Sequence, residues 1–355
     1  MPVATDLVEA GTIQFPLPAP TAVEVGARCD SEGDMYAVWS DAEPTVEKAA
    51  TGQSVMSEIS TSSEPVRELV IDSKRVIEFR MPPIPNYKYQ VRWSYNTSPD
   101  GHLYILVQAR NKNTPEGGNN EATYFIEKFK SDGTFDSRAE LEGPSSEYFE
   151  PYKFAVFADG RFLILGMTGS VKSGDWRPFA GIFDSDGRFA AKVDFAVDAK
   201  AKYAGIVRGG GTPEDGSGQF LAVNFGNMNS DPDGDVYITL AGSPVHVIVV
   251  SPSGEVEKEI RLRVPAAGLS SAEAGVIGSG LVYVHFGRVN STGAAPVNEM
   301  IGVVNVSLGQ FDRLYRLPAG LEERFMGVCG DTEGNFQLLE ASPKNKLEVV
   351  KYSAE

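Results

Sequence analysis

The sequence predicts an all-β protein: one six-bladed β-propeller of four-stranded antiparallel blades spanning residues 1–355, its N-terminal strand closing the last blade. Three observations predict it. Polar residues, usually including Asp or Glu, followed by Gly and an apolar run recur around Gly33, Gly101, Gly160, Gly234, Gly280 and Gly334. Their spacings of 68, 59, 74, 46 and 54 residues average about 60, so one repeat accounts for the chain without a second domain. Four copies carry a second Gly turn between alternating apolar segments, three of them Asp-Gly or Ser-Gly. Such turns signal hairpins, because Gly supplies the positive φ that tight hairpins need. No segment sustains a helical period, although residues 45–59 could form a short helix within an insertion.

Each unit thus reads as strands a–b–c–d, with tight turns at a–b and c–d. Blade one (22–82) contains DSEGDMYAVW and ends in IEFRMP. Blade two (89–144) contains SPDGHLYILV and TYFIEKFKSDGTFDSRAEL; blade three (150–197) contains FADGRFLILG and FAGIFDSDGRFAAKVDF. Blade four (218–265) pairs DPDGDVYITL with HVIVVSPSGEVEKEIRL, and blade five (270–318) pairs IGSGLVYVHF with IGVVNVSLGQFDRLYRL. Blade six (322–352) contains DTEGNFQLLE and stops after its third strand, KLEVVKYSAE. Strand d elsewhere ends in Pro, as in IRLRVP and LYRLP, and TIQFPLP near the N-terminus has the same form. Residues 12–17 are therefore expected to supply the missing strand. Radial repetition lets short sheets bury both faces while exposing only a short outer edge.

The Asp-x-Asp-Gly-x-apolar-Tyr strand, followed by a second segment ending in Ser/Asp-x-Asp-Gly, resembles the six-bladed propellers of the NHL-repeat and TolB-like group. The resemblance covers residues 12–355 and rests on blade grammar, so it implies a fold and assigns no activity. The Gly-His…Trp-Asp signature of WD repeats is missing, and the period exceeds their ~40–45 residues.

Composition narrows the function. With 48 acidic against 32 basic residues, the net charge is −16, which argues against nucleic acid, since phosphate binding draws on Lys and Arg. The 42% hydrophobic content excludes a disordered chain, and no apolar run reaches the ~18 residues of a membrane span. Residues 1–11 lack the basic and apolar regions of a signal peptide. The Gly, Ser, Thr and Asn content with few Lys suits a secreted or periplasmic protein; a cytoplasmic one is the alternative.

In the a–b–c–d order, the b–c and d–a connections share one face. Four b–c connections are expected to be long: Asp41–Ser63, Arg110–Glu121, Gly169–Pro178 and Gly287–Asn298. The d–a connection Asp198–Gly218 is also long. Long loops on a rigid scaffold tend to carry function. This face should hold Trp39, Arg110, Trp176, Arg177, Arg208, Arg288 and Asn290, with Tyr89, Arg92, Tyr152 and Arg324 on the nearby inner segments. Aromatic faces with Arg and Asn donors suit a small polar ligand, a glycan or a protein.

Catalytic motifs are wanting: there is no Gly-x-Ser-x-Gly elbow, no His-Glu-x-x-His and no phosphate loop. His102, His246 and His285 fall on separate strands, too scattered for a shared metal. Asn224 and Asn227 are the inner asparagines worth testing as ligands, and Asp231–Asp235 reads as turn chemistry rather than a calcium loop. Cys29 and Cys329 occupy near-equivalent sites on the first strands of blades one and six; buried thiols are expected, with a disulfide as the alternative. The resulting expectation is a monomeric, non-catalytic binding or scaffold propeller without cofactor. The alternative is a propeller enzyme of lactonase, lyase or glycan-cleaving type with its site at the channel mouth.

Overall fold

The computed structural model describes residues 1–16, 23–29, 35–40, 66–70, 75–98, 101–111, 122–144, 148–170, 175–194, 227–231, 234–240, 244–278, 280–288, 298–318, 325–342 and 346–354. These residues contain no helix, and the helix considered over 45–59 lies outside them. The strand rich in β-branched and aromatic residues is the repeating element.

Four sheets are four-stranded, antiparallel and sequential. The first contains β2 (Val23–Cys29), β3 (Met35–Ser40), β4 (Val66–Val70) and β5 (Arg75–Phe79). The second contains β6 (Tyr87–Thr97), β7 (Leu103–Asn111), β8 (Thr123–Phe129) and β9 (Phe135–Glu140). The third contains β10 (Tyr148–Val156), β11 (Phe162–Ser170), β12 (Asp175–Phe183) and β13 (Phe189–Lys192). The fourth contains β14 (Asn227–Ser230), β15 (Val236–Leu240), β16 (Val245–Val250) and β17 (Val256–Leu262).

The remaining strands form one sheet of eight. β18 (Leu269–Gly278), β19 (Leu281–Arg288), β20 (Met300–Asn305) and β21 (Gln310–Arg316) make one half. β22 (Phe325–Gly330), β23 (Phe336–Ser342) and β24 (Lys346–Ala354) make the other, and β1 (Ala4–Pro16) joins the halves. β1 runs antiparallel to β24, with Thr12 opposite Val350 and Phe15 opposite Leu347. Its leading residues pair in parallel with β21, Ala4 opposite Leu314 and Asp6 opposite Arg316. The strand therefore begins eight residues earlier than the sequence suggests. Leu7 is buried among Ile301, Leu317 and Val350, and Asp6 accepts a hydrogen bond from Arg316 Nη1, which together hold this extension in place.

The tight turns share a construction. Gly101 N–H donates to the Ser98 carbonyl, Ser98 N–H donates to the His102 carbonyl, and Gly101 has φ 76°. This is a three-residue hairpin loop with glycine in the left-handed position. The same pattern holds at Gly133, Gly160, Gly187, Gly234 and Gly254.

Core clusters lie between consecutive sheets rather than within them. One links the first and second sheets through Phe79, Leu103 and Phe129; another links the third and fourth through Leu165, Ile238 and Val250. Middle strands packed on both faces read as continuous apolar runs, so β16 is buried at every position, whereas the outer β17 is buried intermittently. Polar side chains stitch neighbouring first strands together. Asn96 donates to the Phe154 carbonyl at 3.4 Å, Asn229 to the Ala274 carbonyl at 3.1 Å, and Ser230 to the Val156 carbonyl. Asp231 Oδ2 accepts from the Gly280 N–H at 3.3 Å, which gives this carboxylate a structural partner in the next sheet.

First strands also adjoin in succession: β2 with β6, β6 with β10, β10 with β14, β14 with β18, β18 with β22, and β22 with β2. Cys329 on β22 is fully buried and disulfide-bonded, and Cys29, at the end of the adjacent β2, is the only other cysteine in the chain. The expectation of buried thiols is thereby corrected: the adjacency of these two first strands brings their backbones close enough for a bridge.

Candidate functional site

In every sheet the second and third strands meet at the end opposite the Gly turns, and the first strand enters at that same end. Among the described residues five of the first strands are bulged, toward this end in β2, β18 and β22 and at mid-strand in β6 and β10. Register shifts fall between Val23 and Gly26 in β2, Val91 and Tyr95 in β6, and Pro151 and Lys153 in β10. Others fall between Ser271 and Glu273 in β18 and between Phe325 and Gly327 in β22. A bulge bends its strand and re-aims side chains, and bulges are frequent beside binding sites. Sequence reading missed them, because an extra strand residue leaves no signature in composition or alternation.

Two of the candidates occupy these bulges. Tyr152, half-buried, is the extra residue of β10, and Arg92 lies within the bulge of β6. Tyr89 pairs with Ala109 and Arg110 with Lys88, so both lie at this end of the second sheet. Trp39 stands opposite Arg67 near the end of β3. Trp176 and Arg177 stand opposite Gly169 and Thr168, and Arg288 stands opposite Leu269. Arg208, Asn290 and Arg324 lie outside the described residues, as do Asn224 and the long connection 198–218.

The backbone corrects several loop assignments. The ladder between β11 and β12 continues to Ser170 opposite Asp175, so Trp176 and Arg177 sit on a strand and only 171–174 connect. Arg288 likewise ends β19, and Arg110 is the penultimate residue of β7. In each case the strands extend farther than their apolar cores, because ladder hydrogen bonding tolerates polar residues at a sheet end.

Several described titratable groups are held by internal partners. His246 Nδ1 lies 2.9 Å from Glu259 Oε1 on the adjacent strand, and burial holds its pKa below the ordinary value. His285 Nε2 lies 2.9 Å from Glu299 Oε2, both side chains buried. Glu127, fully buried, accepts from Arg138 Nε and Nη2 at 2.9 and 2.7 Å, while Nη2 also donates to the Pro82 carbonyl at 2.7 Å. Burial pushes the Glu127 carboxyl above its ordinary pKa, and the Arg138 bonds only partly oppose this. Among the described residues, no three His, Cys, Asp or Glu side chains gather to hold a metal.

One described concavity lies at the connection end. A pocket of about 540 Å³ opens between the β15–β16 connection, at Pro244, and the β17–β18 connection, Arg263–Gly268. Sequence reading did not single out its residues, because Arg263 and Val264 sit in the Pro-terminated IRLRVP segment, which reads as blade grammar.

Two solved structures resemble the chain over nearly its whole length. A protein of unknown function from Dyadobacter fermentans matches with a TM-score of 0.54 at 10% identity, covering 98% of this chain and 99% of its own. A member of the DUF4221 family from Bacteroides vulgatus matches with a TM-score of 0.52 at 10% identity, covering 99% of both chains. At this identity the likeness shows a shared all-β fold and nothing of activity. No known family matches the chain, and no curated protein does.

Proposed function

We propose that the chain is a single six-bladed propeller, residues 1–355, acting as a recognition module that takes a small polar ligand, glycan or protein at its connection end. The succession of adjoining first strands from β2 to β22 and back to β2 supports a closed ring. Pairing of β1 with β24 supports closure of the sixth blade by the N-terminal strand. The observation that carries the functional reading is the repeated bulge in five first strands, which falls nearest the connection end in β2, β18 and β22. The Cys329 disulfide supports an exported protein, since such bonds persist in oxidising compartments.

The test is a thermal-shift screen of glycans, peptides and polar metabolites, repeated on an Arg110→Ala/Arg208→Ala protein. A ligand that stabilises the unaltered chain should bind the double variant at least about tenfold more weakly, as expected on losing charge-assisted hydrogen bonds. Undiminished binding of every such ligand contradicts the reading.

A further inference from the structure

We propose that the pocket between the fourth and fifth sheets binds a small molecule through its carboxylate, with an apolar body seated beside it. The proposal deepens the reading above and rests on it, because the pocket lies at the same end. Its walls come from two sheets: Pro244 from the β15–β16 connection, Val264, Ala266 and Ala267 from the β17–β18 connection, and Leu269 from β18. The connection turns tightly at Gly268, φ 87°, with the Leu269 N–H reaching the Ala266 carbonyl at 3.4 Å. A volume of about 540 Å³ falls within the range of small-molecule sites.

The described lining side chains, apolar but for one charge, define the ligand chemistry. Among the described residues Arg263 is the only charged lining one; it is exposed and forms no hydrogen bond or ion pair there. Its guanidinium presents a planar fork that matches a carboxylate with two parallel hydrogen bonds. A cation with no described acid beside it is notable in a chain of net charge −16. The ladder between β18 and β19 sets Arg288 directly opposite Leu269, placing a second arginine at the same end of that sheet. A neutral sugar would leave Arg263 without an anionic partner and would meet few hydrogen-bonding side chains among the described lining residues.

The probe is hexanoate, with hexanamide as its neutral counterpart, titrated calorimetrically into the full chain. Hexanoate should bind saturably and hexanamide at least tenfold more weakly. Arg263→Gln should weaken hexanoate at least tenfold, and Ala267→Trp, which fills the pocket, should abolish its binding. The absence of saturable hexanoate binding overturns the proposal, as does equal binding of the two probes or an unaffected Arg263→Gln protein. If hexanoate fails while a screened neutral ligand is lost in Arg110→Ala/Arg208→Ala, the carboxylate pocket is overturned and the broader recognition reading stands.

Discussion

Gln14 of β1 donates through Nε2 to Glu348 of β24 at 2.9 Å, across 334 residues of chain. The bond is exposed and weak in itself, but it marks where the two ends of the molecule share one sheet. β1 separates β21 from β24, so removing it leaves two strand edges unpaired at once.

Stability should therefore depend on the apolar side of β1. Leu7→Ala is expected to cost about 2–4 kcal/mol, because Leu7 is 3% exposed and its loss leaves a cavity. Gln14→Ala should stay within about 0.5 kcal/mol. Urea denaturation of both variants separates the effects, and deletion of residues 1–16 should exceed either.

Arg138 anchors the buried Glu127 and lies over the Phe125 and Phe135 rings at 5.8 and 5.6 Å. Arg138→Ala strands a buried carboxylate and should cost about 3 kcal/mol or more. Glu127→Gln should cost less, because the amide needs no counter-charge. Equal losses in chemical denaturation would argue against a buried ion pair.

His246 sets a pH dependence. Burial lowers its folded pKa below the ordinary 6.5, so on acidification the unfolded chain takes up the proton first. The stability tied to the neutral imidazole is fully present above about pH 6.5 and is lost as pH falls through the lowered folded pKa. Urea midpoints measured from pH 7.5 to 5 should fall more steeply for the unaltered chain than for His246→Gln.

The Cys329 disulfide predicts no titratable thiol in the oxidised protein, even when denatured, and two after reduction. Reduction should lower stability by about 2–5 kcal/mol, since the bridge closes a loop of nearly the whole chain. A reduced protein with an unchanged melting temperature would deny the bridge any role in holding β22 in place.

The hairpin framework was legible because left-handed glycines such as Gly101 and Gly160 are chemically conspicuous. The leading half of β1 was not, because Ala4–Gly11 lacks a turn and an apolar run, and its pairing with β21 depends on tertiary contacts such as Leu7 with Leu317. The ends of β7, β12 and β19 were assigned to loops because polar residues such as Arg110 and Arg177 continue ladders there. The bulges of β6 and β10 and the exposed Arg263 emerged only from backbone pairing and cavity shape.

The most direct test of recognition at the connection end is hydrogen exchange read by mass spectrometry, with and without saturating hexanoate. Slowed exchange concentrated in peptides spanning 244–246 and 263–269 is the predicted result. Slowed exchange confined to the Gly turns at 98–102, 157–161 and 331–335, at the opposite end of the sheets, would contradict it.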